Sequence, residues 1–310
     1  MPRALSSALL LALLAATAVA FAVTEGLKLE PSPVRSVYVD KLFSPTCECD
    51  THQAYIRFQL RKRDRLTLAI VDGSGRAVRT LIGPRNVAAG RIDAYWDGRD
   101  DAGSVVRDGA YRPRLHLDRA HKTIVLPSPV RVDATAPEVT LVRVGPGFFS
   151  PDGDGRNDKV TAVFRASEPV RPMLFVNGKR RVAGKFARTH DRVRWYGIVD
   201  GRALHAGAYR ITLAGRDLAG NLSAAADSRW VKIRYVAFSR TVVRTVAGAR
   251  FRVRVVSDAR GMRWRFAGGT GRTRPGPLVL RAPAKPGRYR LYVEEHGHGA
   301  SLPVVVRPKA

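Results

Sequence analysis

A chain of 310 residues with 45% apolar residues has room for two or three domains, each able to bury a core, which excludes disorder for its bulk. Its formal net charge of +28 comes mostly from arginine. Either G and C-rich codon usage spreads arginine over solvated faces, or the chain attracts a polyanion such as nucleic acid, anionic lipid or an acidic wall polymer.

The first segment, residues 1–26, reads as a secretory signal or a retained membrane anchor. Arg3 and the α-amino group precede an apolar run from Ala8 to Val23. Ala18-Val19-Ala20 and Ala20-Phe21-Ala22 both satisfy the small-x-small cleavage rule. Counted from Ala4, the run is about 20 residues, the length that crosses a bilayer as a helix. The positive N-terminal side orients the body outward. The reading favours a single-pass protein of the cytoplasmic membrane, body outside, or a secreted one if the segment is cleaved. Export makes intracellular DNA a poor partner.

Beyond the signal, strands are expected throughout. Ile56, Phe58 and Leu60 alternate with polar neighbours, as do Leu66, Leu68 and Ile70, and later Phe251, Val253 and Val255. Glycine-bearing turns such as "VDGSG", "WDGRD", "VNGK" and "VDGR" separate the runs. Arginines alternate along these strands and form no single block, which argues against a dedicated basic patch.

A pattern repeats three times. A tryptophan (Trp96, Trp195, Trp264) precedes a Gly-x-Tyr whose tyrosine (Tyr111, Tyr209, Tyr289) opens an alternating strand. Fifteen residues separate Trp96 from Tyr111 and fourteen separate Trp195 from Tyr209. The tyrosines suit the corner of an immunoglobulin-like sandwich, ring on the core and hydroxyl on the backbone, with the tryptophans as core filling. Their competing reading is an aromatic platform for sugars. Pro113 lacks a donor, which predicts a place at or near a sheet edge for its strand. The fold class is all-β: tandem immunoglobulin-like β-sandwiches behind one N-terminal hydrophobic helix, with domains at 27–134, 135–236 and 237–310. The linker "VDATAPEV" at 132–139 is short and stiff.

Tyr95-Trp96-Asp97-Gly98-Arg99-Asp100 and Gly109-Ala110-Tyr111 resemble the FlgD-type Ig-like domain, named for the flagellar hook-capping protein and also found on exported bacterial proteins. "FSPDGDGRND" at 149–158 resembles the leading loop of related surface Ig-like modules, and "GRDLAGN" at 215–221 resembles a common ending of bacterial Ig-like repeats. The resemblance covers roughly residues 35–235. Tyr196-Gly197 replaces Asp-Gly in the second copy, a looser match. The resemblance implies spacers, adhesins or export-linked tails.

The loops "SPTCECDTH" at 44–52 and "SPDGDGRND" at 150–158 both follow a phenylalanine. If the copies align, Cys47-Glu48-Cys49-Asp50 stands where Asp152-Gly153-Asp154-Gly155 stands. Asp152, Asp154, Asn157 and Asp158 offer hard oxygens for calcium, or form an Asx-rich turn that accepts local N–H groups. Cys47 and Cys49 admit three readings: a disulfide with each other, a bridge to another chain, or a metal with His52. Export favours oxidation. Both loops are expected to hold themselves against their sheets by different chemistry.

No nucleophile elbow, zinc-binding His-Glu-x-x-His or phosphate loop occurs, so no enzyme and no cofactor other than calcium is expected. "HGH" at 296–298 suits a hairpin turn or a weak metal site. No nucleic-acid motif is visible. The expected function is a structural or adhesive module array that binds an anionic envelope polymer or lipid diffusely. The alternative is an assembly, capping or chaperone-like module for a secreted protein. Salt separates the two, because diffuse binding is screened.

Overall fold

The structure is a computed structural model that describes residues 11–21 and 31–309. Residues 11–21 form a helix. No helix among the described residues is long and apolar enough to cross a membrane. Arg3, Ala22 and the ends of the expected signal or anchor lie outside the described residues. The chain divides into two compact units, Met1–Ala134 and Thr135–Ala310.

In the first unit, Ala54–Leu60 lies between Val34–Val39 and Gly90–Trp96 in an antiparallel sheet. Ala54, Ile56, Phe58 and Leu60 are buried while the intervening residues face out, as alternation dictates. The facing sheet runs Leu42–Phe43, Val130–Val132, Gly109–Leu117, Asp64–Val71 and Ala77–Val87, with Lys122–Val125 also pairing to Gly109–Leu117. Leu66, Leu68, Ile70, Leu115 and Leu117 complete the core between them. Pro113 therefore sits in an inner strand, not at the edge itself, with the short edge strand Lys122–Val125 directly beside it. Its neighbour on one side changes there from Val130–Val132 to Lys122–Val125, and its carbonyl accepts from Leu126 N–H at 2.8 Å. The missing donor falls at that break, so an inner proline leaves no ladder bond unmade.

The second unit holds two sandwiches. The 17-residue strand Val160–Val176 serves both sheets of the first. Its beginning pairs with Val139–Gly145 and Arg188–Trp195, its end with Gly207–Arg216 and Lys179–Ala183. Such switching closes a sandwich corner. In the second sandwich, Ala237–Phe238, Arg250–Val256 and Gly276–Arg281 form one sheet. Val243–Val246, His298–Arg307, Gly287–Glu295, Met262–Phe266 and Gly269–Thr273 form the other. One continuous buried cluster runs through both sandwiches, from Leu141 to Val306.

The corner tyrosines behave alike. Tyr111 donates to Arg107 O at 2.8 Å, Tyr209 to His205 O at 2.9 Å and Tyr289 to Lys285 O at 2.8 Å, each four residues back. Trp96 and Trp195 are buried edge-on against Tyr111 and Tyr209. The third module differs: Phe266 takes the buried place beside Tyr289, with ring centroids 6.2 Å apart. Trp264, expected as core filling, packs against the core only half-buried and lies over Gly271, where a Cβ would come within 2.8 Å of its ring. Two residues on from Trp264, Phe266 lies on the inward side of the strand.

Candidate functional site

The two loops occupy equivalent places. Ser44 N–H donates to Thr51 O at 3.2 Å, and Ser150 N–H donates to Asn157 O at 3.1 Å, closing loops of equal length. Phe43 packs on Trp96 at 5.5 Å and Phe149 on Trp195 at 5.6 Å. Each loop proline presses on the glycine two residues past its tryptophan. A Cβ on Gly98 would lie 2.7 Å from Pro45, and one on Gly197 would lie 2.7 Å from Pro151. Gly197 thus does the work of Gly98 although Tyr196 replaces the aspartate.

This register moves the loop alignment by one residue from that expected: Cys47 and Cys49 stand opposite Gly153 and Gly155. The structure joins Cys47 to Cys49 by a disulfide. His52 Nδ1 donates to Cys49 O at 2.9 Å. In the second module the equivalent positions are held by one carboxylate. Asp158 accepts from Gly153 N–H at 2.9 Å and from Gly155 N–H at 2.8 Å. The same two positions are therefore tied covalently in one module and by hydrogen bonds in the other.

One oxygen from each of Asp152, Asp154 and Asp158 lies within 4.8 Å of the others. Asn157, in the same loop, is exposed with φ of +46°. Backbone amides occupy much of the acidic set: Asp154 N–H donates to Asp152 Oδ1 at 3.3 Å, and Arg156 N–H to Asp154 Oδ1 at 2.7 Å. Asp154 Oδ2 is buried without a partner. The turn thus accounts for most of these oxygens, as the Asx-rich reading of the loop describes.

The acidic loop also meets the third module. Ser150 Oγ donates to the Asp258 carboxylate at 2.5 Å, and Arg156 reaches Asp258 O at 3.4 Å. Burial first, then the Asp154, Asp258 and Asp158 charges, push Asp152 up to about 6. Nearby, Tyr235 stacks on His298 with centroids 3.6 Å apart and planes within 6°. Tyr235 donates to Leu204 O at 2.7 Å, and Ser257 Oγ donates to Tyr235 O at 2.7 Å. Burial pushes Tyr235 up to about 12 and pushes His298 below its ordinary value. His296 and Gly297 thus form the expected hairpin turn between Glu295 and His298, while His298 itself joins the packed joint. Asp258 was not legible as a joint residue, although it is one of only three acids after residue 236.

Charge is unevenly distributed. Residues 27–134 hold nineteen Lys and Arg against thirteen acids, residues 135–236 eighteen against nine, and residues 237–310 sixteen against three. Codon bias toward arginine does not explain the loss of acids. Strand pairing gathers the alternating arginines into rows. Arg250, Arg252 and Arg254 lie exposed along one strand face, with Arg281 directly opposite Arg250. On the second module, Arg192 and Arg194 share an outer face with Arg165 and Arg143. Among the described residues none of these guanidiniums has an ion-pair partner. The alternation that argued against a patch is what builds one, because every second residue faces the same way.

Residues 46–119 match the family model described as the FlgD Ig-like domain. No curated protein matches the chain. Among solved structures, the Clostridium thermocellum CbhA fibronectin(III)-like modules are similar at 15% identity with a TM-score of 0.33, covering 64% of this chain and 93% of theirs. A three-Ig fragment of titin, domains I67–I69 in an E-to-A mutated variant, is similar at 10% identity with a TM-score of 0.32, covering 90% of this chain and all of its own. With corner tyrosines, paired sheets and the matched segment together, the chain is an array of immunoglobulin-like modules whose residues 46–119 are similar to the FlgD Ig-like domain.

Proposed function

We propose that this module array is a non-enzymatic, exported protein of the cell envelope, held at the membrane by its N-terminal segment, and that its arginine rows bind an anionic envelope polymer or lipid surface. The observation that carries this reading is the unpaired arginine row on Arg250–Val256, in the module with the fewest acids. Alternate strand residues are roughly 7 Å apart, so the row presents a regular line of charge on a rigid support. Guanidinium is always ionised and pairs with phosphate or carboxylate through a planar fork. Exposed charges are screened over about 8 Å at physiological salt, so such binding is additive and salt-sensitive.

The test is co-sedimentation of the body, residues 27–310, which lacks the N-terminal apolar segment, with cell-envelope fractions and with anionic vesicles at about 0.05 M and about 0.5 M salt. Pelleting lost at the higher salt supports the reading. Pelleting that persists points instead to a specific protein contact, as in an assembly or capping module. Absence of pelleting at both salts makes the charge compositional and overturns the proposal.

A further inference from the structure

One sheet face in the first unit has a different chemistry. Burial of Ala54, Ile56 and Phe58 turns Tyr55 and Arg57 outward, and burial of Ala94 and Trp96 turns Asp93 and Tyr95 outward. Tyr55 and Tyr95 are direct cross-strand partners with ring centroids 5.2 Å apart. Tyr38, from the neighbouring strand, adds a third ring 5.8 Å from Tyr55. Tyr38 is 46% exposed and Tyr95 62%. These are not the corner tyrosines, whose rings pack on the core.

The platform is held in place from its edges. Tyr38 donates to Asp40 at 2.8 Å, and Asp40 also accepts from Tyr55 N–H at 2.8 Å. The Tyr55 hydroxyl donates to Asp93 and accepts from Arg91 at 2.7 Å. Arg91 Nε sits 2.9 Å from both Asp93 oxygens. The Tyr55 hydroxyl and Arg91 hold the Asp93 carboxyl below its ordinary value, so it is ionised at neutral pH. Arg57 lies over the Tyr38 ring at 5.6 Å.

A structural role alone would explain the Tyr55–Tyr95 pair, since cross-strand aromatic pairs stabilise a sheet. It does not explain three contiguous rings, two exposed and the central one half-buried, bordered by carboxylates and a guanidinium. Aromatic faces offer apolar contact, while carboxylates and guanidinium offer directional acceptors and donors at the rim. A pyranose ring has the complementary surface, with C–H faces and a hydroxyl edge. Charge narrows the choice further. Asp40 and Asp93 offset Arg57 and Arg91, so this patch lacks the net positive charge of the arginine rows and fits an uncharged ligand.

We propose that the outer face of the Val34–Val39, Ala54–Leu60 and Gly90–Trp96 sheet binds an uncharged polysaccharide. Tyr55 and Tyr95 stack on sugar rings, Tyr38 extends the strip, and Asp40, Asp93 and Arg91 take the hydroxyls. This site is separate from the polyanion reading and stands or falls without it.

The experiment is retention of the full chain on insoluble cellulose, chitin, mannan and xylan at about 0.5 M salt, where surface charge is screened. The wild type is expected to be retained by at least one of these polymers. Tyr55→Ala and Tyr95→Ala each weaken that retention by about tenfold or more, as for central aromatic anchors. Tyr95→Phe keeps most of it, and its melting temperature, with those of the alanine variants, checks folding. A triple change of Arg250, Arg252 and Arg254 to Thr leaves it intact, which separates failure here from failure of the arginine reading. Retention by none of the four polymers overturns the proposal. So does retention indifferent to both tyrosines, or binding of the platform to a proline-rich peptide or a second copy of the chain in their place.

Discussion

Gly98 and Gly197 show how a single backbone position seats a loop. Both have positive φ, +72° and +65°, and both leave no room for a Cβ beside a loop proline. Gly197→Ala is expected to destabilise the second unit by roughly 1–3 kcal/mol, read as a lower melting temperature with unchanged strand content. Loss of the Tyr111 hydroxyl in Tyr111→Phe removes one corner hydrogen bond and costs about 1 kcal/mol, checked by denaturant titration. Asp152 carries a pH dependence. Its folded-state value of about 6 lies above the ordinary 3.8, so its charged form burdens the fold above pH 6 and its contribution improves as pH falls from 6 toward 3.8. Asp152→Asn should therefore melt higher than wild type at neutral pH, with the difference gone near pH 4. His298 acts in the opposite sense: burial lowers its pKa, so stability is lost as pH falls below 6.5, and His298→Phe should remove that loss while keeping the ring on Tyr235.

At the scale of elements, strand period explains both candidate surfaces. Arg250, Arg252 and Arg254 share a face because Phe251, Val253 and Val255 fill the core behind them. Each guanidinium contributes about 1 kcal/mol toward an anionic surface, so changing all three to Thr weakens such binding on the order of a hundredfold. Because the side chains are exposed, the melting temperature should hardly move, and vesicle co-sedimentation alongside calorimetry separates the two effects. The alternation itself is legible in the sequence, as are the turns and the three Gly-x-Tyr corners. Which partner strand lies beside each row is not. Arg281 reaches the place opposite Arg250 from 31 positions further along the chain, and only the register decides that.

At the scale of the whole molecule, the joint within Thr135–Ala310 is a tertiary product. Ser150 and Asp258 are 108 residues apart in sequence, and Tyr235 and His298 also meet only through the docking of two sandwiches. Composition and period by themselves determined the all-β class, the repeated module and the corner tyrosines, because these rest on contacts close in sequence or on a fixed two-residue repeat. Tertiary structure decided the rest: Phe266 as the core ring of the third module, Pro113 in an inner strand, and the arginine rows and tyrosine platform as contiguous surfaces. The physical reason is common to all of them. A strand's pattern states which side of it faces water, but its neighbours across the ladder are chosen by long-range pairing, and a surface exists only once those neighbours are in place.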